Sequence, residues 1–175
     1  DARNIRLQAS KCHWFFRELR LLGHIVTGHG TKPDPIKLSA LRDLAEPSDV
    51  ATLSHFLGLA GYYRRYVPDF AALGAPLFAL RKAGVPWTWT AEHSAAFTSI
   101  IAALNEPGLL LTHPVPDAPL LIETYASMTS VAGSIMQLLP GDDPTWRPIA
   151  FVSRCLTPAE RNYSVTELEC LAVVY

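Results

Sequence analysis

Residues 120–127 read Leu-Leu-Ile-Glu-Thr-Tyr-Ala-Ser, an apolar segment that runs into a small polar turn. Its composition predicts a β-strand over 118–125. Other segments with the composition of strands are 109–112, 131–139 and 147–154. A turn rich in proline and glycine, 140–144, joins the last two of these. We therefore expect the three longer strands to form an antiparallel meander.

Helices are expected on both sides of the meander. After it, Ser164 is a favourable N-cap and Glu167 completes a capping box. Before it, apolar residues at helical spacing predict a helical layer over 34–106. The residues expected to start or cap its helices are Asp34-Pro35, Pro47-Ser48, Asp69 and Thr90. Gly74 and Pro76 are expected to interrupt the third helix of this layer.

The N-terminal part predicts a hairpin. Aromatic and branched residues are concentrated at 11–16 and 19–26, with Arg17-Glu18 as the expected connection and Gly28-His29-Gly30 as the next turn. Helices followed by antiparallel strands indicate an α+β fold. We expect a hairpin and a helical layer, followed by an antiparallel sheet with one helix.

Composition narrows the class of protein. Of the 175 residues, 49% are hydrophobic and 18% are charged, which indicates a packed core rather than a disordered chain. No apolar run is long enough to cross a bilayer, and no leader is visible at Asp1, so neither a membrane nor secretion is expected. Both ends look cut. The three cysteines lack the spacing of a metal site, which favours reduced thiols in an intracellular protein.

Charge is distributed unevenly along the chain. Residues 1–82 contain twelve Lys and Arg against seven Asp and Glu, whereas 83–175 contain three against nine. The first part therefore carries +5 and the second −6, which gives the net charge of −1. A basic part can contact phosphates. An excess of this size is moderate, and solvated surface charge is the competing interpretation.

Several motifs follow one another in a fixed order. They are Lys11-Cys12, 22–26, 32–35 with Lys37, 56–70, 75–77, 87–89, 123–127 and 158–173. The stretch 56–70 is similar to F-L-G-L-x-x-Y-Y-R-R-F-I-P-x-F. As an ordered set, the motifs resemble the reverse transcriptase polyprotein of gypsy-type LTR retrotransposons. The resemblance covers nearly the whole chain.

The resemblance implies three regions. Residues 1–33 resemble the end of the polymerase palm with a hairpin like the primer grip, and 34–106 resemble the thumb and connection. Residues 107–175 resemble the start of a ribonuclease H domain, and the resemblance implies a truncated sheet with its first helix. Such a sheet would expose an edge and an apolar face, so self-association is expected.

The resemblance also implies that catalytic residues are missing. The polymerase aspartates of the family would lie upstream of this chain, and Asp142-Asp143 lies in a turn without the strand that their motif requires. A ribonuclease H site holds two divalent ions with several carboxylates. Tyr125 occupies the expected position of the first aspartate, whereas Glu169 matches the expected glutamate. We expect the Mg²⁺ of the parent family to have no site here.

Tyrosine is a poor replacement for that aspartate. A phenol has a pKa near 10, so it is neutral at pH 7 and a weak ligand for a hard cation. An alternative is that Glu123, two residues before Tyr125 and on the same strand face, pairs with Glu169. A surface glutamate is the preferred interpretation of Glu123.

The resemblance suggests four nucleic-acid-binding residues, Gly23, His24, Arg64 and Arg65. It implies that the glycine lets the backbone approach a primer strand, and that the arginines contact phosphates of a template–primer duplex or RNA/DNA hybrid. An ordinary hairpin glycine and solvated arginines are the alternatives. His24 shows no metal-ligand spacing with the other histidines.

Three functional hypotheses follow. The chain is an inactive piece of a retroelement polyprotein, a non-enzymatic module that binds RNA/DNA duplex, or part of an active RNA-directed DNA polymerase and ribonuclease H if the full-length chain is longer. A fourth alternative is a partner-binding or structural role after recruitment by a host, which no residue supports specifically.

Overall fold

The computed structural model describes residues 8, 10, 12, 14–139 and 144–175. Their strands are β1 (Glu18–Leu21), β2 (His24–Thr27), β3 (Gly30–Pro33), β4 (Leu111–Thr112), β5 (Leu120–Ala126), β6 (Ser130–Leu139) and β7 (Thr145–Cys155). Their α-helices are α1 (Pro35–Arg42), α2 (Val50–Tyr62), α3 (Phe70–Leu73), α4 (Ala75–Leu80), α5 (Ala91–Leu104) and α6 (Val165–Val174). Short 3₁₀ turns lie at Arg64–Tyr66 and Glu160–Asn162. The mixed α+β architecture is confirmed.

The first sheet is antiparallel and has the order β1-β2-β3-β4. Its hairpin turn is Leu22-Gly23, where φ is +49° and +77°. The predicted connection at Arg17-Glu18 is wrong, because Glu18 already pairs with Thr27 in the β1–β2 ladder. Two consecutive residues with positive φ match the twist of a two-residue hairpin. Of the predicted first strand, Lys11 and His13 lie outside the described residues, and residues 14–16 are not in a strand, so that part of the prediction is wrong.

The helical layer begins where the sequence predicted. The Asp34 carboxylate accepts a hydrogen bond from the backbone N–H of Ile36 at 3.0 Å, and Pro35 is the first residue of α1. The cap of α2 is Asp49, one residue after the predicted Pro47-Ser48. Asp49 wins because its carboxylate accepts from the N–H of Thr52 at 2.7 Å, which closes a capping box and lowers the pKa of Asp49.

The remaining helices follow the predicted boundaries. Gly74 separates α3 from α4, and Thr90 precedes α5. These helices enclose one apolar core, whose most deeply buried side chains are Leu41, Leu53, Phe56, Tyr66, Leu77, Ile100 and Leu104. Leu111 of β4 is also buried in this core, which attaches the first sheet to the helices. Among the helices that the structure describes, none is long and apolar enough to span a membrane.

The second sheet is the expected meander, with the order β5-β6-β7. Helix α6 packs on one face, where Leu168 and Ala172 form a cluster with Val131 and Leu156. Ser164 caps α6, since its hydroxyl accepts from the N–H of Glu167 at 3.4 Å. The predicted 140–144 turn lies outside the described residues except for its last position. The 109–112 strand pairs with β3 rather than with the meander.

The helical layer is joined to the second sheet where α3 lies on β7. The backbone N–H of Ala71 donates to Ser153 Oγ at 3.0 Å. The Ser130 hydroxyl donates to the Asp69 carboxylate at 3.3 Å, which adds a contact with β6. Because strand residues alternate between faces, α6 lies on one face of the second sheet and the helical layer contacts the other.

Candidate functional site

The β1–β2 turn rests on tyrosines from the end of α2. The hydroxyl of Tyr63 donates to the carbonyl oxygen of Gly23 at 3.0 Å, and that of Tyr62 donates to the carbonyl of Leu22. A Cβ atom on Gly23 would lie 2.9 Å from the Tyr63 hydroxyl, at a φ of +77°. Gly23 is therefore required both by its backbone conformation and by the close approach of the tyrosine.

His24 lies inside the same group of tyrosines. Its ring stacks on Tyr62 with centroids 5.2 Å apart, and its Nδ1 lies 3.1 Å from the hydroxyl of Tyr66. The Tyr66 hydroxyl also donates to Thr31 Oγ1 at 3.2 Å. Burial, followed by the charge of Arg65, lowers the pKa of His24. His24 is therefore neutral at pH 7, and its ring acts as a packing surface.

The two arginines point to different places. The guanidinium of Arg65 lies 6.0 Å from the ring centre of Tyr66, close enough to His24 to affect its pKa. Arg64 lines a separate cleft near Ser153. Both arginines are exposed, and neither forms an ion pair with any acid in the described part of the chain. The structure thus gathers Gly23, His24 and Arg65 at one surface and places Arg64 elsewhere.

The sequence did not predict that Tyr62, Tyr63 and Tyr66 form one cluster around the β1–β2 turn. Tyr62 and Tyr66 are four residues apart, a spacing that puts two side chains on one face of a helix. That spacing was the available signal. It could not show that His24, about forty positions earlier, would insert between them.

Tyr125 lies near the end of β5, opposite Ala132 of β6. Its neighbour Ala126 packs towards α6, so the alternation of the strand turns Tyr125 and Glu123 to the other face. Glu123 accepts a hydrogen bond from Ser134 Oγ at 2.9 Å. Partial burial and the nearby Glu123 carboxylate raise the pKa of the Tyr125 phenol. Tyr125 is consequently a neutral phenol at physiological pH.

Glu169 lies on the exposed side of α6, next to the buried Leu168. Glu169 and Glu123 lie on different elements, and the Glu123 carboxylate accepts its hydrogen bond from Ser134 of β6. Within the described residues, no group of three or more His, Cys, Asp or Glu side chains could hold a metal ion. The chemistry that this arrangement directly supports is contact with anions at Arg64 and Arg65.

Known proteins match the C-terminal half of the chain and nearly its whole length. Residues 89–175 match the family described as RNase H-like domain found in reverse transcriptase. The retrovirus-related Pol polyprotein from transposon 297 of Drosophila melanogaster is 35% identical over 98% of this chain. The one from transposon gypsy of the same organism is 31% identical over 98%. Nearly the whole chain is therefore homologous to one segment of retrovirus-related Pol polyproteins.

The match to these Pol polyproteins covers little of their length. The chain spans 16% of the transposon 297 polyprotein and 17% of the gypsy polyprotein. Solved structures of foamy viral protease-reverse transcriptase share the fold. One in complex with RNA/DNA hybrid has a TM-score of 0.72 and 26% identity, and covers 90% of this chain and 21% of that one. Another, in complex with double-stranded DNA, has a TM-score of 0.73 and 25% identity, and covers 89% and 27%.

Proposed function

We propose that this chain is a non-catalytic nucleic-acid-binding part of a retrotransposon Pol polyprotein. The observation that carries the proposal is the surface formed by Gly23, His24 and Arg65, where an exposed guanidinium without an ionic partner in the described residues lies beside a turn fixed by tyrosines. The foamy viral relatives were solved with double-stranded DNA and with RNA/DNA hybrid, which supports a duplex as the ligand.

The geometry suits phosphate contact. The β1–β2 turn is narrow, and the hydroxyls of Tyr62 and Tyr63 hold its backbone in place. Arg65 offers several N–H donors for phosphate oxygens. A neutral His24 adds no charge of its own, so the positive charge at this surface comes from Arg65 and from the exposed Lys37, whose side chain lies beside Gly23.

Charge reversal at Arg65 is expected to weaken hybrid binding about tenfold at low salt. The variant Arg65→Glu loses one phosphate contact, so the slope of log affinity against log salt becomes shallower by about 1. Fluorescence anisotropy of a labelled RNA/DNA hybrid, measured between about 50 and 200 mM salt, checks both values. Arg147→Glu makes the same change of net charge at an exposed position of β7 and serves as the control. Equal losses in the two variants would show that only net charge matters.

The second part of the proposal is the absence of nuclease activity. It is supported by the neutral Tyr125 at the expected aspartate position, because paired divalent ions need several carboxylates around them. We expect no cleavage of the RNA strand of a hybrid by this chain with Mg²⁺ or Mn²⁺. Gel analysis of labelled hybrid measures this. Cleavage that disappears in Glu169→Gln would contradict it, whereas cleavage that persists identifies a contaminant.

A longer chain would change the catalytic part of this proposal but not the binding part. The Pol relatives are about six times as long as the stretch they share with this chain, so a longer chain has room for further carboxylates. An intracellular location, self-association through the truncated sheet and the division at residues 33 and 106 stay predictions.

A further inference from the structure

A second basic surface lies between the helical layer and β7. It is a cleft of about 590 Å³, and the residues that matter for its chemistry are Gly61, Arg64, Arg81, Lys82, Ser153 and Cys155. The end of α2 forms one wall, α3 and the end of α4 form the second, and β7 forms the third. It is separate from the surface of Gly23, His24 and Arg65.

The described residues that line this cleft carry positive charge, although Asp69 lies close enough to raise the pKa of the Cys155 thiol. The side chains of Arg64, Arg81 and Lys82 are exposed, and none of the lining residues is acidic. Among the ion pairs of the described residues, none involves these three cations. Arg154 also contributes to the lining, but its guanidinium donates to the Glu160 carboxylate at 2.7 and 2.9 Å and so is already neutralised.

The floor of the cleft fixes one of the cations. The rings of Phe70 and Phe78 meet edge to face with centroids 6.1 Å apart, and the Arg81 guanidinium lies 5.8 Å from the centre of the Phe78 ring. Stacking on an aromatic face restricts the guanidinium while leaving its N–H edge directed outward. The Ser153 hydroxyl accepts from the Ala71 backbone, which leaves its own proton to donate.

Gly61 provides the access. It is the penultimate residue of α2 and lines the cleft. A Cβ atom at Gly61 would meet no atom within 4 Å in the described structure, so packing does not require the glycine. The missing side chain instead keeps the cleft open beside the helix backbone.

We propose that this cleft binds the phosphodiester backbone of a nucleic-acid strand, with Arg64, Arg81 and Lys82 contacting its phosphates and Gly61 allowing the strand to approach α2. The inference rests on the proposed function, since it assigns a second contact to the same duplex. Basic side chains combined with aromatic rings are the usual construction of such a groove. The cleft would hold the duplex across the junction of the helical layer and the second sheet.

Two variants of the full chain test the cleft, and a third serves as a charge-matched control. The double variant Arg81→Glu/Lys82→Glu is expected to weaken hybrid binding at least tenfold and to make the salt slope shallower by about 2. The matched double variant Arg17→Glu/Arg147→Glu changes the net charge equally at sites outside the cleft and is expected to have a smaller effect. Gly61→Gln fills the cleft without changing charge, and we expect it to weaken binding while the melting temperature is maintained.

Cys155 reports on the cleft without any substitution. Burial and, to a smaller extent, the Asp69 carboxylate raise the pKa of its thiol, although Arg161 and Lys82 oppose this, so its alkylation is slow enough to time. Bound hybrid is expected to slow alkylation of Cys155 at least threefold and to leave the exposed Cys170 unchanged, as measured by peptide mass spectrometry.

The outcomes separate the two proposals. Tight binding of hybrid that is unaffected by the cleft variants, with no protection of Cys155, overturns the cleft and leaves the Arg65 surface standing. Absence of hybrid binding at low salt overturns both. Equal protection of Cys155 by millimolar inorganic phosphate or by a polyglutamate peptide would show that the cleft takes anions in general, which also overturns the proposal.

Discussion

Replacing Gly30 with valine is expected to lower the free energy of unfolding by about 3 kcal/mol. Gly30 is buried in β3 opposite Thr112 of β4. A Cβ atom there would overlap the carbonyl oxygen of Leu111 and lie 2.9 Å from the Thr112 Cα. Both are backbone atoms and cannot rotate away, so β4 must separate from β3. Leu111, which is 2% exposed, would then be drawn out of the core.

Gly28 supplies the matched control for this prediction. It is exposed, it lies two residues away in the same turn, and a Cβ atom on it would meet nothing within 4 Å. We expect Gly28→Val to change the free energy of unfolding by less than about 0.5 kcal/mol. Urea unfolding of both variants and the parent chain measures the difference. Similar stabilities of the two valine variants would show that β4 does not hold the first sheet to the core.

Helix starts were readable from the sequence because their physics is local. The Asp34 carboxylate needs only the backbone two residues later, and Ser164 needs only Glu167. The one error among these caps was Ser48 in place of Asp49, and it also depends on local interactions. Both residues can cap, and the choice depends on which side chain reaches Thr52. The cap of a helix therefore depends only on residues within one helical turn.

The first sheet was harder to predict because its pairings are decided by distant residues. Leu22 is a poor residue for positive φ on local grounds, yet its carbonyl accepts from Tyr62 forty residues away. The partner of Leu111 and Thr112 in β3 is likewise about eighty residues earlier. Composition could identify these short strands, but it could not say which sheet they join.

In the candidate site, too, local features were predicted from the sequence and long-range contacts were not. The sequence drew attention to Arg64 and Arg65 as a pair, but the 3₁₀ turn that contains them sends one towards β7 and leaves the other beside Tyr66. Arg81 and Lys82 had no motif of their own, and only the packing of α3 on β7 places them opposite Arg64. The resemblance identified Tyr125 at the expected aspartate position and the chemistry of a phenol predicted its neutral state, and the structure adds the partial burial and the nearby Glu123 carboxylate that raise its pKa.

Tyr66→Ala is expected to lower the free energy of unfolding by about 4 kcal/mol. The side chain is 1% exposed and lies in the helical core, so its removal leaves a large cavity. Its hydroxyl also lies within hydrogen-bond distance of His24 and Thr31, which attach the first sheet to the end of α2. Tyr163→Ala, at an exposed tyrosine, is expected to cost less than about 1 kcal/mol and is the control. Chemical unfolding followed by circular dichroism compares them.

Tyr66→Phe separates packing from hydrogen bonding in this prediction. It keeps the ring and removes the hydroxyl, so the expected loss is about 1 to 2 kcal/mol from unsatisfied polar atoms. Because His24 and the Gly23 turn stay packed on Tyr62 and Tyr63, hybrid binding by folded Tyr66→Phe should change less than twofold. A loss as large as that of Tyr66→Ala would mean that the hydroxyl, not the buried ring, holds the β1–β2 hairpin in place. The duplex surface would then depend on a single polar contact.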